Sequence, residues 1–176
     1  MWYNFVTNRC FMVIRIVAWE QVDLRRGKEK KRIMEKLTSK TERLMTERFG
    51  KDTVIALATT EDGVPYVRYV NAFYEDGAFY IITHALSGKM KQLGKNPAAA
   101  IAGEWFTAQG TGINLGYFGK QENREIAEKL RKAFAAWIDN GHNDFADENT
   151  CILCVRLSDG VLLAHGERYE IDFTKE

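Results

Sequence analysis

The sequence predicts a mainly β chain with a few helices, folded as a small antiparallel barrel of six or seven strands. Three observations carry that prediction. Copies of Glu-Asp-Gly at 61–63 and 75–77 separate three β-rich runs in "DTVIALATTEDGVPYVRYVNAFYEDGAFYIIT", and Asp-Gly supplies the positive φ angles of tight hairpins. Four more apolar runs follow, "AAAIAGEWF", "AQGTGINLG", "TCILCVRL" and "GVLLAHGERYEIDF", the last two read as a hairpin across Ser158-Asp159-Gly160. Apolar residues at helical spacing mark the remaining elements. With 176 residues, 45% hydrophobic and 28% charged, the chain is long enough for one well-buried core.

Taken in order, "EKLTSKTERLMTERFG" places Leu37, Leu44, Met45 and Phe49 on one helical face and stops at Gly50. The three-stranded meander follows. A short helix begins near Ser87, with Leu86, Met90 and Leu93 on its buried face. Residues 121–139 repeat Ile126, Leu130, Phe134, Trp137 and Ile138 at helical spacing, and Asn140-Gly141 closes that helix. Residues 1–33 differ in character: eight Lys and Arg stand against three Asp and Glu, net +5, whereas residues 34–176 carry 17 against 21, net −4. They are expected to lie outside the functional domain, as non-native sequence upstream of a natural start at Met34. One domain, 34–176, remains.

The formal net charge of +1 gives no global field for a polyanion, so neither nucleic acid nor an anionic membrane is expected as partner. The run "CFMVIRIVAW" is too short for a membrane span and its basic cluster lies on the wrong side for a signal peptide. The three cysteines fit a reducing, cytoplasmic setting. Cys151 and Cys154 form a C-x-x-C, but on a strand residues three apart point to opposite faces, so no metal site is expected.

The stretch "YIITHALSGKMKQLGKNPAAAI" turns polar where a strand ends and a helix begins. The Ser87 hydroxyl suits a helix N-cap, and Lys89 in the first turn is unfavourable against the positive helix end unless an anion lies between them. Free amides, two hydroxyls (Thr83 and Ser87) and a lysine suit a terminal phosphate; a capped surface helix with solvated lysines is the alternative. Arg68 sits mid-strand in "PYVRYVNAF", sharing a face with Val70, while Tyr69 and Asn71 share the other. Such an arginine needs an anionic partner: a phosphate, or an internal carboxylate such as Glu104.

These residues resemble the FMN-binding split-barrel family related to pyridoxamine 5′-phosphate oxidase, in its short branch similar to general stress proteins. The resemblance spans Met34 to Phe173. It rests on Arg68-x-Val70, on Thr83, Ser87 and Lys89 in T-x-x-x-S-x-K, on Asn96-Pro97, and on Trp105. It implies a homodimer with FMN in clefts at the subunit interface. Arg68, Ser87 and Lys89 would hold the phosphate, backbone near Tyr69, Val70 and Thr83 would line the flavin ring, Asn71 and His84 would belong to the same cofactor site, and residues from Trp105 to Thr111 would reach over from the partner.

There are departures too. Gly88 stands where the oxidases place a second basic ligand, and "GERYEIDFTKE" lacks their substrate-gripping tryptophan and arginine, so vitamin B6 oxidation is not expected. The glycines of "AQGTGINLG" leave room for a substrate, or let backbones pass closely. No side chain demands a catalytic role; His84 is the best proton-relay candidate. The resemblance implies an FMN-dependent oxidoreductase acting on a small molecule. A non-catalytic module binding flavin, haem or deazaflavin is the alternative.

Overall fold

Both Glu-Asp-Gly turns close hairpins, with φ of 51° and 79° at Asp62 and Gly63 and of 46° and 71° at Asp76 and Gly77. The computed structural model describes residues 35–174, so the expectation about residues 1–33 falls outside the described residues. The elements run β1 (Glu35–Lys36), α1 (Ser39–Phe49), β2 (Thr53–Glu61), β3 (Val64–Glu75), β4 (Ala78–His84) and α2 (Gly88–Lys95). Then come β5 (Ala98–Gly103), β6 (Phe106–Tyr117), a 3-10 turn (Gln121–Asn123), α3 (Arg124–Ala133), β7 (Thr150–Ala164) and β8 (Glu167–Asp172).

Strands β2, β3, β4, β7, β6 and β5 close a six-stranded antiparallel barrel, because β5 pairs back to β2 and β6 to β7. The second half of β7 stays paired with β6 but exchanges β4 for β8 on its other edge, and the two-residue β1 joins β8 in parallel. Inward side chains follow the period of two. Ile55 and Leu57 of β2, Ala72 and Tyr74 of β3 and Phe79 and Ile81 of β4 fill the interior with Leu153, Val155 and Leu157 of β7. Helix α1 packs Met45 and Phe49 into this core, where Phe49 lies 5.5 Å from Phe79 and 5.4 Å from Phe106. Its N-terminus is closed by a Thr38–Thr41 capping box. A second apolar cluster lies outside the wall, where Leu130, Phe134 and Ile138 cover Phe73, Tyr80, Ile82 and Ile152.

Four local expectations are corrected. The final hairpin turns at His165-Gly166, with φ of 52° and 75°, and Ser158-Asp159-Gly160 runs inside β7. Gly160 is there for packing: a Cβ would stand 3.0 Å from the Thr107 carbonyl oxygen of β6. The helix expected over 121–139 ends at Ala133 and continues as turns, Trp137 donating to the Phe134 carbonyl and Asn140 to that of Trp137. Leu86 precedes α2 and is exposed, leaving Met90 and Leu93 as the apolar residues that α2 buries. Trp105, expected within the strand run "AAAIAGEWF", instead sits in the β5–β6 turn at a φ of 52°, 69% exposed.

The C-x-x-C reads as expected. Cys151 belongs to the inner cluster, whereas Cys154 falls in the outward phase with Ile152.

Candidate functional site

The site begins where two neighbouring strands separate. Strand β3 pairs with β4 only from Phe73↔Tyr80 to Glu75↔Ala78. Beyond that, residues 64–72 stay on β2, while Ile81 to His84 of β4 follow β7. The wall is therefore split between Arg68–Ala72 and Ile81–His84, and the facing edges carry backbone groups outside any ladder, ready to bond a ligand.

Arg68 points into the barrel at this split. Its guanidinium donates to Thr59 Oγ1 at 2.6 Å, to Gln92 Oε1 at 2.8 Å and, at 3.4 Å, to the Leu57 carbonyl. All three acceptors are neutral. Glu104, the internal alternative, is not its partner: it lies in the β5–β6 turn, where its carbonyl accepts from Arg48. Lys89 Nζ donates to Thr83 Oγ1 at 2.9 Å, so its acceptor is neutral as well. Burial, and then the Arg68 charge, push the Lys89 ammonium below its ordinary pKa, and burial lowers Arg68 too. Among the described residues no carboxylate neutralises either cation.

Ser87 holds the N-cap position of α2 but makes no side-chain cap bond, which corrects its expected role. Its Oγ is the one buried side-chain oxygen or nitrogen without a partner among the described residues. A buried hydroxyl left this way costs about 1–3 kcal/mol, so its persistence beside two uncompensated cations is a sign of a ligand group. Next to it, a Cβ built on Gly88 meets nothing within 4 Å, so the first residue of α2 borders open space on its side-chain side. An anion carrying several acceptor oxygens fits these donors: Ser87 Oγ–H, the first amides of α2, Lys89 and the free edge of Arg68.

Two to three residues further along β3, about 7–10 Å at 3.4 Å per residue, the split opens into a hollow of about 400 Å³. Val70, Asn71, Ile82, Trp137, Asn140 and His142 line it. Asp52 ties its two sides together, accepting from Asn71 Nδ2 at 2.8 Å and from the Trp137 indole at 2.6 Å. Thr59, Gln92 and Asp52 were not expected at the site, and the 137–142 segment was expected only as the end of a helix. Thr59 had left a signal, because it is the polar member of the inward series Ile55, Leu57, Thr59.

The description "Pyridoxamine 5′-phosphate oxidase" belongs to the family model that matches residues 42–159, a span holding both the Arg68 strand and α2. The chain belongs to the pyridoxamine 5′-phosphate oxidase family. Among solved structures, General Stress Protein 26 of Bacillus anthracis is 15% identical with a TM-score of 0.52, covering 68% of this chain and 90% of its own. An FAD-binding protein of Mesorhizobium loti is 17% identical with a TM-score of 0.51, covering 73% and 95%. A heme binding protein of Mycobacterium smegmatis is 18% identical with a TM-score of 0.54, covering 70% and 54%. At such identities the likeness is one of fold. No curated protein matches the chain.

Within one chain of this family member, the other expected site residues disperse. Tyr69 points outward and is 81% exposed. Thr111 pairs with Ala98 and Arg156 on the outside of β6, and the Trp105 carbonyl accepts from Leu163 at the β5–β6 turn. His84 is held by its loop: Nδ1 accepts from the Leu86 amide, so Nε2 carries the proton and donates to Asp147 at 3.1 Å. Gly110 and Gly112 are packing glycines, because added Cβ atoms would meet the Arg156 carbonyl at 2.3 Å and the Leu93 side chain at 2.7 Å. Among the described residues no helix is long and apolar enough to cross a membrane.

Proposed function

We propose that the split between β3 and β4 binds FMN and that the protein works as a cytoplasmic, homodimeric FMN-dependent oxidoreductase on a small molecule. The observation that carries this reading is the pair of cations, Arg68 and Lys89, without a carboxylate beside the unpartnered buried Ser87 hydroxyl. Bound flavin would supply hydride transfer between a reduced donor and the small molecule. The chain's own residues would do the holding. Ser87, Lys89 and Arg68 fix the phosphate. The free edge of β3 from Arg68 to Asn71 and the hollow beside Ile82 and Trp137 take the planar ring, and Asp52 keeps Asn71 and the 137–142 segment together.

A second copy fits the outer face of β3, β2, β5 and β6. There Val67, Ala58 and Ala100 align across the strands, as do Tyr69, Ala56 and Ala102, with Val54 58%, Val67 68% and Tyr69 81% exposed. Small and apolar side chains on a twisted sheet can pack against their own two-fold copy, and burying them would offset the cost of showing them to water. Such pairing would bring the partner's Trp105 to Thr111 segment within reach of the cleft.

Absorption of the purified protein after loading tests the reading. Flavin bands that bleach with a reduced nicotinamide and recover with an acceptor support the oxidoreductase. Flavin bands without turnover support a carrier, and a Soret band supports a haem module. Sedimentation of the loaded protein should give a dimer and Ala100→Glu a monomer; a monomer with bound flavin in the wild type would refute the shared interface.

A further inference from the structure

Gln92 is the residue that holds Arg68, and its chemistry is unusual for that task. It is 5% exposed on α2, its Oε1 accepting from Arg68 Nη2 at 2.8 Å and from the Thr59 hydroxyl at 2.6 Å. Thr59 Oγ1 in turn accepts from Arg68 Nη1 at 2.6 Å, which closes a ring through both arms of the guanidinium. Arg68 has only donors, so the amide oxygen must face it, and the Gln92 amide nitrogen is left to donate outward to Glu61. The Glu61 carboxylate is itself paired with Lys95 at 2.5 Å. The nearest acid in this chain of contacts therefore stands one side chain away from the arginine, and Gln92 separates the two.

We infer that Gln92 is a positioning and specificity residue: a neutral spacer that orients Arg68 toward a phosphate while leaving its charge uncompensated. A carboxylate in the same place would hold the guanidinium equally well by hydrogen bonding. It would also neutralise it, and a phosphate group would then gain little from Arg68. A guanidinium has five N–H groups; the ring uses one on each arm and the Leu57 carbonyl takes a third at 3.4 Å, so two remain for an incoming anion. The inference rests on the phosphate reading above. It adds that preference for a phosphorylated over an unphosphorylated ligand is set by an uncharged residue behind the arginine.

The test compares FMN with riboflavin by fluorescence titration at pH 8 on the wild type, Gln92→Glu and Gln92→Met, with thermal melting as the check on folding. The wild type should prefer FMN. Gln92→Glu should weaken FMN binding about tenfold or more while riboflavin binding stays within about twofold, so the preference collapses. Gln92→Met, which keeps the volume and removes the acceptor, should lose FMN affinity by a smaller factor, again without change for riboflavin; it serves alone if the charged variant does not fold. A wild-type preference near one would overturn the phosphate reading and this inference together. A clear wild-type preference that survives in both variants, or an equal loss for both flavins, would overturn the inference alone.

Discussion

Strand β3 carries two inward polar groups six residues apart, and they are treated in opposite ways. At Tyr74, where β3 is still paired with β4, every polar atom is satisfied: the hydroxyl donates to Glu42 at 2.6 Å and accepts from the Gly77 amide at 3.1 Å. Burial, and then Glu42, drive its pKa upward, so it stays a neutral donor. At Arg68, where the strands have separated, two cations each have only neutral acceptors and a buried hydroxyl has no partner. The closed network serves the fold, and the open one is arranged for something the chain itself does not supply.

The largest expected effect is at the open end. Lys89→Ala should weaken FMN binding by about 1.5–3 kcal/mol, the range for a charged hydrogen bond, with little loss of stability; unchanged affinity in a titration would remove Lys89 from the site. At the closed end Tyr74→Phe should do the reverse. It removes the donor to Glu42 Oε2 and the acceptor of the Gly77 amide, so urea unfolding should show a loss of about 1–3 kcal/mol while FMN affinity holds. Ser87→Ala separates the two ends most cleanly. Removing an unpartnered buried hydroxyl should leave the ligand-free protein as stable or up to about 1 kcal/mol more stable, yet cost about 0.5–1.5 kcal/mol in FMN binding. A loss of stability without ligand would show that the hydroxyl is satisfied within the chain.

The smallest effect is in pH. Lys89 has a lowered pKa, so the unfolded chain keeps this proton to higher pH than the folded one, and the ligand-free protein gains stability as pH rises across that window. A bound phosphate favours the charged amine. FMN affinity should therefore decline as pH rises through the same window, while riboflavin affinity stays level; parallel curves for both flavins would take the amine out of the phosphate contact.

The sequence showed the barrel where local chemistry decides it and missed what depends on packing. Asp62-Gly63 and Asp76-Gly77 announced their turns because a positive φ is a local demand. Ser158-Asp159-Gly160 carried the same lettering for a different reason, the close approach of β6 at Gly160, while the true turn fell at His165-Gly166. Nothing local marks Trp105 for a positive φ. Within the site, Arg68, Ser87 and Lys89 were readable as polar residues that interrupt apolar patterns. The split was not, because it arises when β4 leaves β3 to follow β7, a choice of partner made some 70 residues away at Thr83↔Cys151. Gln92 was hidden for the same reason: its significance lies in contacts to β2 and β3.

A crystal structure of the FMN complex tests the central claim most directly. The account predicts the phosphate within hydrogen-bond distance of Ser87 Oγ, Lys89 Nζ and the open edge of Arg68, with the ring along β3 between Val70 and Ile82. The molecule offers a competing basic hollow beside α3, lined by Lys120, Arg124 and Arg131, whose charges are already paired with Glu122, Glu128 and Asp139. A phosphate bound there, with Ser87 still without a partner, would contradict the account.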